Sequence, residues 1–195
     1  MKARKETRRV GLVSLGCAKN LVDSERLLGQ LKANNIEFVH DPADTRNLDS
    51  AVINTCGFIG DAKQESVDTI LQFLEAKKQG AIREVFVMGC LSERYRDELR
   101  QELPDVDGIF GVNELRKIIN RLGGNYMTNL VGDRIITTPL PYAYLKIAEG
   151  CDRSCSFCAI PAIRGGHISR SIEEIVSEAE SLTSLGVKEI NLISQ

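Results

Sequence analysis

Three cysteines in one short segment place the tightest constraint on how this chain folds. Cys151, Cys155 and Cys158 stand at offsets of four and three residues, after an apolar stretch at 143–148 and the pair Glu149-Gly150. Soft thiolate ligands favour iron–sulfur clusters or zinc. A cubane [4Fe-4S] cluster normally takes four cysteines, so three leave one iron with an open position, as a catalytic metal requires. We therefore predict a strand that leads into a cluster-binding loop, and we call these three residues the loop cysteines.

A zinc site is the alternative interpretation of this loop. His167 could complete a Cys3His set, which is a common structural zinc site. Zinc ligands usually come as a Cys-x2-4-Cys pair together with a second, distant pair. Here all three cysteines share one loop, and the nearest histidine follows nine residues after Cys158. The spacing favours an iron–sulfur cluster, and zinc stays open.

A second set of cysteines follows three apolar stretches in the first part of the chain. Each stands beside a glycine, in the pairs Gly16-Cys17, Cys56-Gly57 and Gly89-Cys90. Ligands of parallel α/β sheets bind at the carboxyl ends of the strands, so Cys17, Cys56 and Cys90 are expected to converge there. We call them the strand-end cysteines. The alternative is three buried structural cysteines, because free cysteine is among the most buried residue types.

The alternation of strands and helices up to residue 124 predicts an α/β fold with a doubly wound parallel sheet. Strands are predicted at 10–15, 36–39, 51–55, 84–88 and 106–110. Helices are predicted from about Asp23, from Asp61 as the capping residue, over about 93–102 and after Asn113 as the capping residue.

The second part of the chain predicts the first βαβ unit of a (β/α) barrel. Strands at 143–148 and 189–194 flank a helix at about 171–185, whose apolar face carries Ile172, Ile175, Val176, Ala179 and Leu182. A whole barrel needs about 200 residues or more. We therefore expect a chain that is truncated at its C-terminus and inactive by itself.

The predicted domain organisation has four segments. Residues 1–7 are a basic tail, 8–124 are the first domain with the strand-end cysteines, and 142–195 are the incomplete barrel. The segment 125–141 is a connector that contains a predicted hairpin, with 129–131 against 134–136.

Charge and cysteine content narrow the classes of partner and the compartment. The net charge of −2 gives no electrostatic footprint for tight nucleic-acid binding. No apolar run reaches the roughly 18 residues that a membrane span needs. Six cysteines without an export signal predict a cytoplasmic protein whose thiols bind metal or act in catalysis, because disulfides are rare in the reducing cytosol.

The loop cysteines, with Phe157 just before the last of them, resemble the signature of radical S-adenosylmethionine (SAM) enzymes. Together the two cysteine sets resemble the radical-SAM methylthiotransferases, within the branch that acts on small-subunit ribosomal protein twelve. The transfer-RNA branch usually has Gln-Met-Asn where this chain has Ala18-Lys19-Asn20. The stretches that carry the resemblance are 14–25, 54–59, 62–66, 89–91 and 164–170.

The resemblance implies two [4Fe-4S] clusters and SAM as cofactors. The catalytic loop cysteines would hold the SAM-cleaving cluster, with Phe157 near bound SAM. The strand-end cysteines would hold an auxiliary cluster that binds the transferred sulfur. The implied reaction inserts a methylthio group at the β-carbon of an aspartate in the ribosomal protein. The alternatives are a transfer-RNA adenosine methylthiotransferase and a non-catalytic iron–sulfur or zinc module. The sequence names neither the sulfur donor nor the electron donor.

Overall fold

A computed structural model describes residues 8–128, 130 and 133–194 of the chain. The predicted basic tail, residues 1–7, lies outside this range. Five parallel strands form the main sheet in the order β2-β1-β3-β4-β5. The strands of this sheet are β1 (Arg9–Ser14), β2 (Glu37–His40), β3 (Ser50–Thr55), β4 (Glu84–Gly89) and β5 (Gly108–Ile109). The helices between and after them are α1 (Ala18–Ala33), α2 (Gly60–Lys78), α3 (Cys90–Arg94), α4 (Arg96–Glu102) and α5 (Leu115–Arg121).

Helices cover both faces of this sheet, and the prediction of a doubly wound fold is confirmed. On one face, Leu27 and Leu28 of α1 and Ile118 of α5 pack with Val52 and Phe86 of the strands. On the other face, the apolar side chains of α2 and α4 pack against β3 and β4. All six residues of the central strand β3 are buried, as expected for a parallel strand that is covered on both sides.

The second part contains the predicted strand–helix–strand unit. β6 (Tyr142–Lys146) pairs in parallel with β9 (Glu189–Ile193), and α7 (Ile172–Ser184) connects them. Two short antiparallel strands, β7 (Ala148–Glu149) and β8 (Ile168–Ser169), flank the cysteine loop, and a short helix α6 (Ile160–Arg164) follows it. Neither α6 nor β8 was predicted from the sequence. Ser171 caps α7 by accepting a hydrogen bond from Glu174 N.

Several predicted helix boundaries were wrong. Helix α1 begins at Ala18 with Cys17 at its N-cap, not at about Asp23. The N-caps of α2 and α5 are Ile59 and Glu114, so neither Asp61 nor Asn113 caps a helix. The helix predicted over 93–102 is two short helices, because the backbone of Tyr95 departs from helical geometry at φ −123° and ψ 36°.

The second part also differs from its prediction in two places. The strand predicted over 143–148 is divided between β6 and β7, which belong to different sheets. The apolar face of α7 is narrower than predicted, because Ile172 and Val176 are exposed while Ile175, Ala179 and Leu182 pack inward.

The predicted connector hairpin is described only in part. Residues 129, 131 and 132 lie outside the described residues. Residues 134–136 form no strand, and Ile135 N instead donates a hydrogen bond to Glu25 O at 3.1 Å. None of the helices in the described part of the chain has the length and apolar character needed to cross a membrane.

Candidate functional site

The register of the main sheet brings the strand-end cysteines to one edge. Ser14 pairs with Asn54, and Asn54 pairs with Met88, so β1, β3 and β4 end level with each other. The three loops then touch. A Cβ atom on Gly57 would lie only 2.6 Å from Leu91 Cα, which follows Cys90. The predicted convergence of these segments follows from strand neighbours in a parallel sheet.

Gly16 lies where the loop of Cys17 approaches the loop of Cys56. A Cβ atom on Gly16 would lie 2.9 Å from Cys56 Sγ, and the backbone φ of Gly16 is +88°. Only glycine takes such a backbone conformation readily. The glycine before Cys17 therefore leaves a cradle beside the Cys56 sulfur.

The strand-end cysteines differ in their access to solvent. Cys56 and Cys90 are 7% and 8% exposed, whereas Cys17 is exposed at the N-terminus of α1. Cys56 and Cys90 are thus enclosed by protein, whereas Cys17 lies at the solvent-exposed edge of the site, its rim. An arrangement of this kind is open on one side, where a further ligand can reach a bound metal.

Buried amides, which the sequence analysis did not identify, fix the loops that carry these cysteines. Asn20 Nδ2 donates to Thr55 O at 2.9 Å and to Leu15 O at 3.1 Å. Asn54 Nδ2 donates to Asn20 O at 2.7 Å and to Ser24 Oγ at 2.9 Å. These bonds connect α1 to the ends of β1 and β3. They also give the buried amides the hydrogen-bond partners that buried polar groups need.

Ser66 holds the residue Cys56 from the neighbouring helix α2. Its Oγ accepts a hydrogen bond from Cys56 N at 3.0 Å and donates to Cys56 O at 2.9 Å. Because Ser66 lies within a stretch that carries the family resemblance, the sequence did contain a signal for this role.

Arg164 joins the strand-end site to the second part of the chain. Its Nη2 donates to Cys90 Sγ at 3.2 Å and to Asn20 Oδ1 at 2.7 Å. Its Nη1 donates to Asp23 Oδ2 at 2.9 Å and to Glu149 Oε1 at 3.0 Å. The side chain is 2% exposed, so this is a buried cation with four acceptors.

These contacts set the electrostatics of the site. Burial raises the pKa of the Cys90 thiol, and the positive charge and hydrogen bond of Arg164 act against that rise. Although burial disfavours its charge, the Asp23 carboxylate and then the Cys90 sulfur raise the pKa of Arg164. Burial likewise acts against the charge of Asp23, yet Lys146 and Arg164 lower the pKa of that carboxyl.

The loop cysteines lie between β7 and α6 without regular secondary structure. Cys155 is exposed, and Cys151 and Cys158 are half-buried. Cys151 N donates to Gly165 O at 3.0 Å, and Cys158 N donates to Cys155 O at 3.1 Å. Arg153 N donates to Cys151 Sγ at 3.5 Å. The backbone thus curls the three residues into one turn of chain.

The remaining predicted residues near the loop contact other groups. The Phe157 side chain is 91% exposed. The ring of His167 hydrogen-bonds through Nε2 to Ser169 Oγ at 3.0 Å, and its backbone N donates to Asp152 Oδ1 at 2.8 Å.

Within residues 8–128, 130 and 133–194, no three Cys, His, Asp or Glu side chains stand close enough together to form a ready metal site. The donor chemistry nevertheless fits the predicted clusters. Each set offers three thiols on neighbouring backbone, and soft sulfur is the ligand that iron–sulfur clusters take. The cradle at Gly16 and the half-open rim at Cys17 also leave room beside the sulfurs.

A second buried ion network links α1 to the second part of the chain. Arg134 pairs with Glu25 and, through Nε at 2.9 Å, with Glu178 Oε1. Glu178 also accepts from Arg170 Nη1 at 2.6 Å, and Glu25 Oε1 accepts from Thr137 N at 2.7 Å. Glu25 and Glu178 are 2% and 0% exposed, so both parts of the chain close over these charges.

Comparison with known proteins places the chain in a family. A model of the uncharacterized protein family UPF0004 matches residues 9–111, which is more than half of the chain. The chain belongs to family UPF0004. A model of the radical SAM superfamily matches residues 145–195, which begin within β6 and include the loop cysteines. The UPF0004 match covers the strand-end cysteines, and the radical SAM match supports SAM and iron–sulfur chemistry in the second part.

Several curated relatives of this UPF0004 member share one name. A ribosomal protein uS12 methylthiotransferase RimO from Christiangramia forsetii is 57% identical over 96% of the chain and 41% of the relative. Proteins of the same name from Cytophaga hutchinsonii and Flavobacterium johnsoniae are both 52% identical, over 100% and 96% of the chain and 45% and 43% of the relatives. The resemblance to radical-SAM methylthiotransferases is confirmed. The chain spans less than half the length of these relatives.

A solved structure has the same fold as this family member. The cobalamin-dependent SAM radical enzyme OxsB, with aqua-cobalamin and SAM bound, aligns with a TM-score of 0.59 and 14% identity. The alignment covers 97% of the chain and 34% of OxsB. At this identity the likeness shows the arrangement of helices and strands alone.

Proposed function

We propose that this protein is a radical-SAM methylthiotransferase that modifies ribosomal protein uS12. The observation that carries the proposal is the contact of two adjacent residues with both thiol sets, since Arg164 donates to Cys90 Sγ and Gly165 O accepts from Cys151 N. The names of the relatives support the substrate. Hydrogen removal from the β-carbon of an aspartate requires a radical, because no protein side chain is a strong enough base.

The loop cysteines would hold one [4Fe-4S] cluster and the strand-end cysteines a second. When bound, these clusters and SAM would supply the electron, the radical and the sulfur. Gly165 O, through Cys151 N, fixes the start of the cysteine loop. The exposed Phe157 would pack near SAM.

The residues around the strand-end cysteines would hold the cysteine loops in place and leave one side of the site open. Ser66 and Asn20 hold the loops of Cys56 and Cys90 in place. Cys17 at the rim leaves the site open toward incoming sulfur and substrate. The donors of sulfur and electrons are not identified by these features.

The domain division at 8–124, 125–141 and 142–195 belongs to the same proposal. The separate matches at 9–111 and 145–195 support it. A ribosomal substrate would place the protein in the cytoplasm.

Mass spectrometry of ribosomes tests the proposal. Cells that lack the gene should contain uS12 without the methylthio group, and the complete gene should restore it. Genes in which the loop cysteines or the strand-end cysteines are changed to Ala should not restore it. The control is Gln64→Ala, a substitution at an exposed position of α2 that changes no cysteine. The gene with this change should restore the methylthio group fully.

The proposal fails if uS12 keeps its methylthio group in the deletion strain. Loss of a methylthio-adenosine from transfer RNA in that strain would assign the protein to the transfer-RNA branch instead. If neither modification is lost, the methylthiotransferase proposal fails for both branches.

A further inference from the structure

Arg164 and the residue after it connect the two cysteine sets. Its guanidinium donates to Cys90 Sγ at 3.2 Å. The carbonyl of the next residue, Gly165, accepts from Cys151 N at 3.0 Å. One dipeptide at the end of α6 therefore touches one cysteine of each set.

The buried ion network holds the guanidinium in a fixed orientation. Asp23 and Glu149 accept hydrogen bonds from Nη1, and Asn20 and Cys90 accept from Nη2. The guanidinium is planar and presents its donors in a rigid fork. Its position beside the Cys90 sulfur is therefore set by partners on α1, β7 and α3.

We propose that Arg164 is a positioning residue that raises the reduction potential of the cluster on the strand-end cysteines by donating a charge-assisted hydrogen bond to Cys90 Sγ. The inference rests on the proposed function, because it requires a cluster at that site.

The direction of the effect follows from charge. Reduction adds one electron to a cluster, and a buried positive charge with a hydrogen bond to a sulfur ligand stabilises the added negative charge. Hydrogen bonds to the sulfurs, net charge and solvent exposure are the factors that set cluster potentials. The loop cysteines lack this guanidinium contact in the described structure; Cys151 Sγ accepts from the backbone of Arg153 at 3.5 Å. The two clusters would therefore be reduced at different potentials.

The test isolates the strand-end cluster in the full chain. In a parent variant, the loop cysteines are changed to Ala, and the cluster is reconstituted anaerobically. Arg164→Met and Arg164→Lys are then made in this parent. The midpoint potential of each is measured by redox titration with dithionite as the reductant, monitored by electron paramagnetic resonance.

We expect Arg164→Met to lower the reduction equilibrium constant about tenfold, which is about 59 mV for a one-electron couple. Arg164→Lys should shift it in the same direction by about threefold, because the ammonium keeps the charge but loses the fork. The matched control is Arg134→Met, a buried arginine of the same interface that pairs with Glu25 and Glu178. It should loosen the interface without changing the potential.

The outcomes separate the two hypotheses. A parent variant that binds no iron overturns the strand-end cluster itself, and the inference falls with it. A parent with iron, together with an unchanged potential in Arg164→Met or an equal shift in Arg134→Met, overturns the role of Arg164 alone. If Arg164→Met loses its fold by circular dichroism, Arg164→Lys decides, and a potential equal to that of the parent overturns the inference.

Discussion

Single glycines control the space around the strand-end cysteines. Gly89 has a φ of +103° and precedes Cys90, and a Cβ atom there would lie 2.5 Å from Thr55 O. Gly80 also has a positive φ, +75°, but a Cβ atom there would meet nothing within 4 Å. Comparing substitutions at the two positions therefore separates the cost of backbone strain from the cost of steric overlap.

We predict that Gly89→Ala lowers the free energy of unfolding by about 3 kcal/mol, since a non-glycine residue in such a conformation costs about 1–3 kcal/mol and the overlap with Thr55 adds to it. Gly80→Ala should cost only about 1 kcal/mol. Urea unfolding of both variants measures the difference. Equal losses would show that the close approach at Gly89 relaxes without cost.

Glu114 is a second residue whose effect is local. Its Oε2 accepts from Gly111 N at 2.7 Å and from Arg96 Nη2 at 2.8 Å, and its Oε1 pairs with Lys117 at 2.5 Å. Although burial acts in the opposite direction, these three partners lower the pKa of Glu114 from 4.5 to about 2.

The stabilisation from Glu114 should depend on pH. Because the pKa is lower in the folded state, the contribution is present above pH 4.5 and is lost as the pH falls toward 2. Glu114→Gln should therefore be less stable than the wild type by about 1 kcal/mol at pH 7, a value reduced for solvent screening. The difference should shrink below pH 4.5 in urea unfolding. Glu98→Gln, at an exposed position of α4, is the control. A difference between Glu114→Gln and the wild type that does not change with pH would contradict this assignment.

At the scale of elements, α1 is the helix that joins the two parts of the chain. One turn of it presents Asp23 to Lys146 and Arg164, and presents Glu25 to Arg134. The same helix has Cys17 at its N-cap and holds the strand ends through Asn20. A change on this helix should therefore affect both the docking of the second part and the cysteine sites.

We predict that Glu25→Leu lowers the free energy of unfolding by about 3–5 kcal/mol, because it removes one partner of a buried ion pair and leaves the other charged. Hydrogen exchange should increase most in β6 and α7, which contact this network. Glu65→Leu, at an exposed position of α2, should stay within about 0.5 kcal/mol of the wild type. Unchanged exchange in β6 would mean that the apolar contacts alone hold the second part.

At the scale of the whole molecule, the two cysteine sets lie on separate supports. One is at the carboxyl edge of the main sheet, and the other is on a loop between β7 and α6. Each has its own backbone hydrogen bonds. The two sites should therefore load metal independently.

We predict about eight iron atoms per chain after anaerobic reconstitution if both clusters are cubane. Changing the three loop cysteines to Ala should halve the iron and acid-labile sulfide, and changing the strand-end cysteines should remove the other half. Stoichiometric zinc without visible absorption would contradict the iron assignment and favour the zinc alternative. Loss of all iron from either triple variant in a folded chain would show that the sites depend on each other.

The sequence by itself determined the features that depend on local pattern. Apolar runs located the buried strands β1, β3 and β4, and helical spacing of apolar residues located α2 and α7. The convergence of the strand ends that precede Cys17, Cys56 and Cys90 could be predicted in advance, because neighbouring parallel strands end at one edge of the sheet. The family resemblance added Phe157 and the two clusters as predictions.

The tertiary structure alone decided the features that depend on distant partners. Arg164 meets Asp23 across 141 residues of sequence, and no local pattern reports such a pair. Helix α1 begins at Ala18 because the end of β1 and the Asn20 bonds to Leu15 and Thr55 hold its first turn. Spacing on α7 could not show that Ile172 and Val176 are exposed, because the width of a buried face is set by what packs against it. Buried charges are paired through the fold, and only the fold shows which charge each one finds.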